Sequence, residues 1–190
     1  MKFTLLVLVF AAFASMQNLA RAQNRAPSST PQDSCGAADL RFDVEHDNSQ
    51  LPPSDPEPGK ALVYVIEVFD STAGEMGTPT VRVGLDGSWI GANRGSSYLF
   101  FPADPGEHHL CTNWQSTLKR PSAQPSRTDF SAEAGKTYFF QAQIRAQTIA
   151  TGGEVWSIDL QSIVTEEAKY LIADSPLSIS HPKKRMLVTH

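Results

Sequence analysis

Within seven residues, from His108 to Trp114, this chain places an imidazole pair, a thiol and an indole: His108-His109, Cys111 and Trp114. Such a set could ligate a metal, pass a proton, attack as a thiolate or stack on a sugar. Spacing removes most of these. Neighbours on an extended strand point to opposite faces, so His108 and His109 cannot hold one metal ion between them. A metal would need one of them plus a distant partner such as His46 or Glu107. Cys111 could act as a nucleophile only if it stayed reduced. No Gly-x-Ser-x-Gly elbow or His-Glu-x-x-His motif occurs. Gly152-Gly153 is too short to cradle a phosphate and precedes a strand rather than a helix. The expected set is therefore no catalytic residue, no metal and no cofactor. Trp89 and His109 are the candidate ligand contacts, with Trp156 assigned to packing. The plain reading of the histidines is a polar pair near a turn, one of them half-buried beside Trp114.

The thiol has a second candidate role. Lys2, the apolar run Leu5 to Ala14 and Ala20-Arg21-Ala22 form an export signal with a small-x-small cleavage site, which puts the mature start at Gln23. The run is about half the roughly 20 residues that a membrane span needs, and no later segment is long or apolar enough to cross. The expected location is periplasmic or extracellular. Removing Lys2 and Arg21 takes the formal charge from −4 to −6, which argues against nucleic acid, whose partners present a clustered basic surface. An oxidising compartment preserves disulfides. The two cysteines then allow an intramolecular Cys35–Cys111 bond or a cross-chain one.

Four segments follow from composition. Residues 1–22 are the signal. Residues 23–59 are a disordered leader and Pro-rich arm carrying Cys35, in which Leu40 to Val44 alternates and could add a short strand. Residues 60–175 form a β-sandwich domain, and 176–190 a C-terminal tail with the basic run Lys183-Lys184-Arg185. Lys60 to Phe69 is apolar on both faces, as a central, doubly covered strand must be. Val81, Val83 and Leu85 alternate into Asp86-Gly87, a two-residue hairpin turn. Further strands are expected over Ser88–Gly91, Ser97–Pro102, Glu107–Trp114, Thr137–Arg145 and Val155–Ser162. Gln115 to Asp129, with Pro121 and Pro125, reads as a surface loop. These seven strands predict an all-β sandwich. One short C-terminal helix follows, capped by Thr165, with Glu166 and Glu167 in its first turn and Pro176 beyond its end.

Alternation puts Leu110 and Cys111 on opposite faces of their strand. If Leu110 faces the core, the disulfide lays the arm across the outer face near Glu107, His109 and Asn113, with Phe42 and Val44 packed down. The reverse places Cys111 in the core.

The run Val81-x-Val83-x-Leu85-Asp86-Gly87-x-x-Ile90-Gly91, followed by an aromatic strand and Pro105-Gly106-Glu107-His108-x-Leu110, resembles the PEGA and related transthyretin-like domains. Ala134-Gly135-Lys136-Thr137-Tyr138-Phe139 and Glu166-Glu167-Ala168 resemble the bacterial domain of unknown function 2846. The resemblance covers roughly Lys60 to Ala173. It implies a small exported β-sandwich and supplies no catalytic residue. The function expected is a non-catalytic binding or interaction module of the cell envelope, its partner an envelope protein or a glycan. The alternatives are an assembly accessory acting through a strand edge, and a hydrolase using scattered His, Asp and Glu.

Overall fold

The computed structural model describes residues 35–69, 78–115, 125–148, 150 and 154–184. The export signal, the leader before Cys35 and the Gly152-Gly153 turn lie outside the described residues.

The described residues form two sheets and one helix. The strands are β1 (Leu40–Asp47), β2 (Ala61–Phe69), β3 (Thr80–Leu85), β4 (Ser88–Arg94), β5 (Ser97–Ala103), β6 (Gly106–Trp114), β7 (Ser126–Ala132), β8 (Thr137–Thr148), β9 (Glu154–Ser162) and β10 (Leu177–Lys184); helix α1 (Thr165–Ala173) precedes β10. The larger sheet runs β1-β10-β5-β2-β8-β9 and the smaller β4-β3-β6-β7. Val63 and Val65 of β2, Val81 and Val83 of β3, Leu110 of β6 and Phe140 of β8 share one core between the sheets. The opposite face of β2 presents Leu62, Tyr64 and Ile66 to a second cluster, which α1 closes with Ala168, Leu171 and Ile172. The continuous apolar run of β2 is thus explained: each of its faces is covered, one by a sheet and the other by a helix.

The strand count differs from seven because β1, β7 and β10 are also strands. β7 (SRTDFSA) offers Ser126 and Thr128 where a strand would ordinarily offer larger apolar residues, so its alternation is faint, and residues 126–129 belong to a strand and not to the expected loop. β10 (LSISHPKK) contains Pro182, which demotes a strand on sequence grounds, yet it pairs with β1 along its whole length, Leu40 opposite Lys184 through Asp47 opposite Leu177. β1 and β10 occupy stretches expected as arm and tail. Lys183 of the expected basic tail pairs with Asp43 at 3.0 Å.

Asp86 (φ 50°) and Gly87 (φ 80°) both take positive φ, as the hairpin turn requires. Helix α1 begins one residue earlier than expected. Val164 holds the cap position without a side-chain bond, Thr165 is the first helical residue, and Glu166 and Glu167 occupy the first turn. Glu67 of β2 is fully buried, and burial pushes its carboxyl well above the usual carboxylate range against the opposing pull of the Gly95 amide.

Candidate functional site

Three features of the surface could do chemistry: the arm around the disulfide, the histidine end of β6, and a cleft over the second core cluster.

Cys35 and Cys111 stand at disulfide distance, their Cα atoms 5.7 Å apart, and both are buried. Leu110 belongs to the inter-sheet core, so Cys111 faces outward and is buried by the arm. The seat is cut for close approach: a Cβ on Gly84 would lie 2.4 Å from the Cys35 carbonyl oxygen, and one on Gly36 would lie 2.6 Å from the Trp89 ring. The Trp89 indole N–H donates to the Ala37 carbonyl at 2.8 Å, and the Arg82 guanidinium lies 4.3 Å from the ring centroid. Arg82 also donates to the Leu40 carbonyl at 2.9 Å. The Gln115 amide accepts from the Phe42 N–H at 2.6 Å and donates to the Phe42 carbonyl at 2.7 Å, serving as a one-residue strand partner for β1. Trp89, a candidate ligand contact, therefore spends its polar edge and one face on the arm. Phe42 and Asn113 are buried, whereas Val44 is half-buried and Glu107 and His109 stay exposed.

His108 is buried beside Phe130, ring centroids 5.4 Å apart, and not beside Trp114. Its Nδ1 meets the Asp86 carboxylate at 2.7 Å and its Nε2 meets the Asp104 carbonyl at 2.7 Å. Both partners are acceptors, so both ring nitrogens donate and the ring is an imidazolium. Burial opposes that charge, but the bonds to Asp104 and Asp86 outweigh it and raise the pKa. Asp86 is lowered: its burial works the other way, and the His109 N–H and the His108 ring overcome it. With both nitrogens spent, His108 joins the β3–β4 turn to the β5–β6 turn. His109 pairs with Asp129 at 2.6 Å on the open surface, and that hydrogen bond raises its pKa. The hollow beside it, about 390 Å³, is lined by Gly87, Leu110, Cys111, Arg127 and Thr128 as well as this pair. Among the described residues no group of three or more His, Cys, Asp or Glu is arranged to hold a metal.

A larger concavity than this hollow lies elsewhere. A cleft of about 940 Å³ opens on the α1 side of the larger sheet. Its floor is Tyr64 of β2 with Tyr98 of β5 and Phe139 of β8. Tyr64 stacks on Phe139 with ring centroids 5.2 Å apart, and its centroid lies 5.6 and 6.3 Å from those of Phe100 and Tyr98. One wall is α1, with Thr165, Lys169 and Ile172; the other is the Pro-rich spacer from Gln50 to Ser54. The Tyr64 hydroxyl donates to the Pro53 carbonyl at 2.6 Å. Burial pushes the Tyr64 phenol up to about 12, with Tyr98 adding to the rise, so it remains a donor. Asp47 closes one end. Its carboxylate accepts from the Ser49 hydroxyl, the Ser49 N–H and the Gln50 N–H, and these bonds lower its pKa. A cavity of this size with an apolar floor and a few convergent polar groups has the form of a small-molecule or peptide site.

Sequence reasoning did not find this cleft. Tyr64, Phe100 and Phe139 were legible as aromatic strand residues. Nothing local shows that Pro53 and Lys169, 116 positions apart in the sequence, would face each other across them.

The fold and cleft define a two-sheet β domain with one helix laid over an aromatic face. The chain belongs to the family described as protein of unknown function (DUF2846), whose match spans residues 57–154, slightly more than half of the 190 residues. The match takes in Tyr64, Tyr98 and Phe139 and ends at the first residue of β9, so β1, α1 and β10 lie outside it. No curated protein and no solved structure gives a significant match.

Proposed function

We propose that this protein is an exported, non-catalytic binding module of the bacterial cell envelope, and that it takes its ligand in the cleft between α1 and the Pro-rich spacer. The observation that carries this reading is the cleft itself: about 940 Å³ over an aromatic floor, with polar groups at its rim and neither histidine nor cysteine among its lining residues. Export is supported by the signal-like N-terminus and by the cysteine pair at disulfide distance. Among the described residues no helix is long and apolar enough to cross a membrane. We assign the two-sheet core to the PEGA and transthyretin-like kind on its Asp86-Gly87 and Pro105-Gly106 turn pattern.

The two alternatives have less behind them. A hydrolase would have to use the exposed His109–Asp129 pair, and Cys111, the nucleophile nearest to it in sequence, is tied to Cys35. A strand-edge accessory would need a bare edge. Three of the four outer strands carry Arg41, Asp43 and Glu45 on β1, Arg127 and Asp129 on β7 and Asp159 on β9, the charges that discourage strand addition; the fourth, β4, carries only Arg94.

A photo-crosslinking residue at Lys169, inside the cleft, tests the assignment in the native envelope fraction. Lys169 should yield a discrete adduct, while the same residue at Tyr170, which is 71% exposed and is not among the cleft's lining residues, should not. Equal labelling from both positions, or none from Lys169, sinks the proposal.

A further inference from the structure

The aromatic floor already has an occupant on part of its length. Leu51 to Pro58 (LPPSDPEP) crosses it as a strap, with Pro52, Pro53 and Pro56 half-buried. Four prolines fix φ near −65° along this segment and remove four N–H donors, which favours an extended backbone with few internal hydrogen bonds. The floor supplies a partner for one of its carbonyls: the Tyr64 hydroxyl donates to the Pro53 carbonyl at 2.6 Å, amid the rings of Phe100 and Phe139. This is the chemistry by which aromatic grooves read proline-rich chains, rings packing on pyrrolidines and a ring-borne donor reaching a backbone carbonyl.

The surface does not end at the strap. A hollow of about 320 Å³ lies on one side, over Leu62, Phe100 and Pro102. The 940 Å³ cleft lies on the other side, over Tyr98 and Phe139. Gln50, Leu51 and Pro53 line both, so the open surface is continuous with the seat of the strap. In the open half Tyr98 repeats the part of Tyr64. It is the residue opposite Ile66, two positions along the same face of β2. Its ring is buried, its pKa is raised by that burial and then by the Asp47 charge, and its hydroxyl has no hydrogen bond among the described residues. Leu51, 86% exposed, stands at the lip as an apolar contact without a partner chain.

We infer that the cleft recognises an extended, proline-rich segment of a partner protein, which lies beside the chain's own strap and gives a backbone carbonyl to the Tyr98 hydroxyl. Asp174 and Asp47 outnumber Lys169 among the charged residues of the cleft, so a segment carrying one Lys or Arg is favoured over an acidic one. This inference rests on the binding reading above and specifies its ligand.

The test uses the full mature chain, isotope-labelled, titrated in parallel with three probes. One is a ten-residue peptide of Pro-Pro repeats with a single Arg, one a Gly/Ser peptide of the same length and charge, and one a soluble β-linked amino-sugar oligosaccharide. The proline-rich peptide should shift the amides of Tyr98, Lys169 and Asp174 and bind at least tenfold more tightly than the Gly/Ser peptide. Tyr98→Phe should weaken it about fivefold to tenfold, the worth of one hydrogen bond, without lowering the melting temperature. If that variant does not fold, the shift map of the native chain still decides. Equal binding of the two peptides, or shifts confined to other surfaces, overturns the inference. Cleft shifts with the oligosaccharide alone overturn the proline-rich ligand and leave the cleft as a binding site. No cleft shift with any probe overturns both.

Discussion

His108 shows how a single residue converts two turns into one rigid end. Its ring is held by a carboxylate from the β3–β4 turn and a carbonyl from the β5–β6 turn, and both bonds require the charged form. The raised folded pKa of His108 means its contribution is complete below the unfolded value of about 6.5 and is lost as pH rises through the folded value. The lowered pKa of Asp86 means its contribution is complete above about 3.9 and is lost as pH falls through the folded value. The clamp therefore works best between about pH 4 and 6.5. Asp86→Asn keeps a residue that tolerates positive φ while removing the charge. It should cost about 1 kcal/mol at pH 5, less than a buried charged hydrogen bond because the Asp86 side chain is 45% exposed. Urea unfolding at pH 5 and pH 8 measures it. A cost as large at pH 8 as at pH 5 would mean His108 is not the charged partner.

At the scale of elements, the arm is a strand held by side chains rather than by sheet alone. β1 pairs only with β10, and its other edge is met by Gln115 and Arg82, while Cys35 is fixed beyond its N-terminal end. Closing the separation of 76 residues between the cysteines stabilises by roughly 4 kcal/mol on the chain-entropy model. The double variant Cys35→Ala, Cys111→Ala should lose up to about that much and become cleavable near Pro52 under limited proteolysis, with the two-sheet core intact. Gly84→Ala should give part of the same loss with the bond formed, since its Cβ must displace the Cys35 carbonyl. Unchanged stability and protease resistance in the double variant would remove the arm from the fold's supports. The arm also marks what could be read in advance. Alternation put Leu110 and Cys111 on opposite faces without saying which faced the core, and the Asp86-Gly87 turn and the doubly covered β2 were plain, because each is decided within a few residues. β7 and β10 were not, because small polar residues and Pro182 blur a period of two. The cleft was least legible of all: its floor is local pattern, but its walls come from segments that meet only after β1, β10 and α1 have docked.

Across the whole molecule, the segments beyond the family match close the structure. β10 lies between β1 and β5, contacting β5 through Leu177 opposite Tyr98, and Leu177 is buried in the same cluster as Tyr64 and Tyr98. Ser178 donates to Ser97 at 2.8 Å in a buried position, and Ser180 lies against Gly91 of the smaller sheet. β10 thus links the two sheets along one side, and without it β5 becomes a free edge whose aromatic residues lose their cover. A fragment of residues 60–175, the domain expected from composition, retains eight of the ten strands and α1. It lacks β1, β10, Cys35 and the strap over Tyr64. It should therefore unfold over a broad range without a cooperative transition and bind a hydrophobic dye in its resting state, whereas residues 35–184 should melt in one step. Calorimetry and dye fluorescence on the two fragments decide the matter. A cooperative melt of the 60–175 fragment within a few degrees of the longer chain would make β1 and β10 appendages, and would place the structural unit where the sequence pattern first put it.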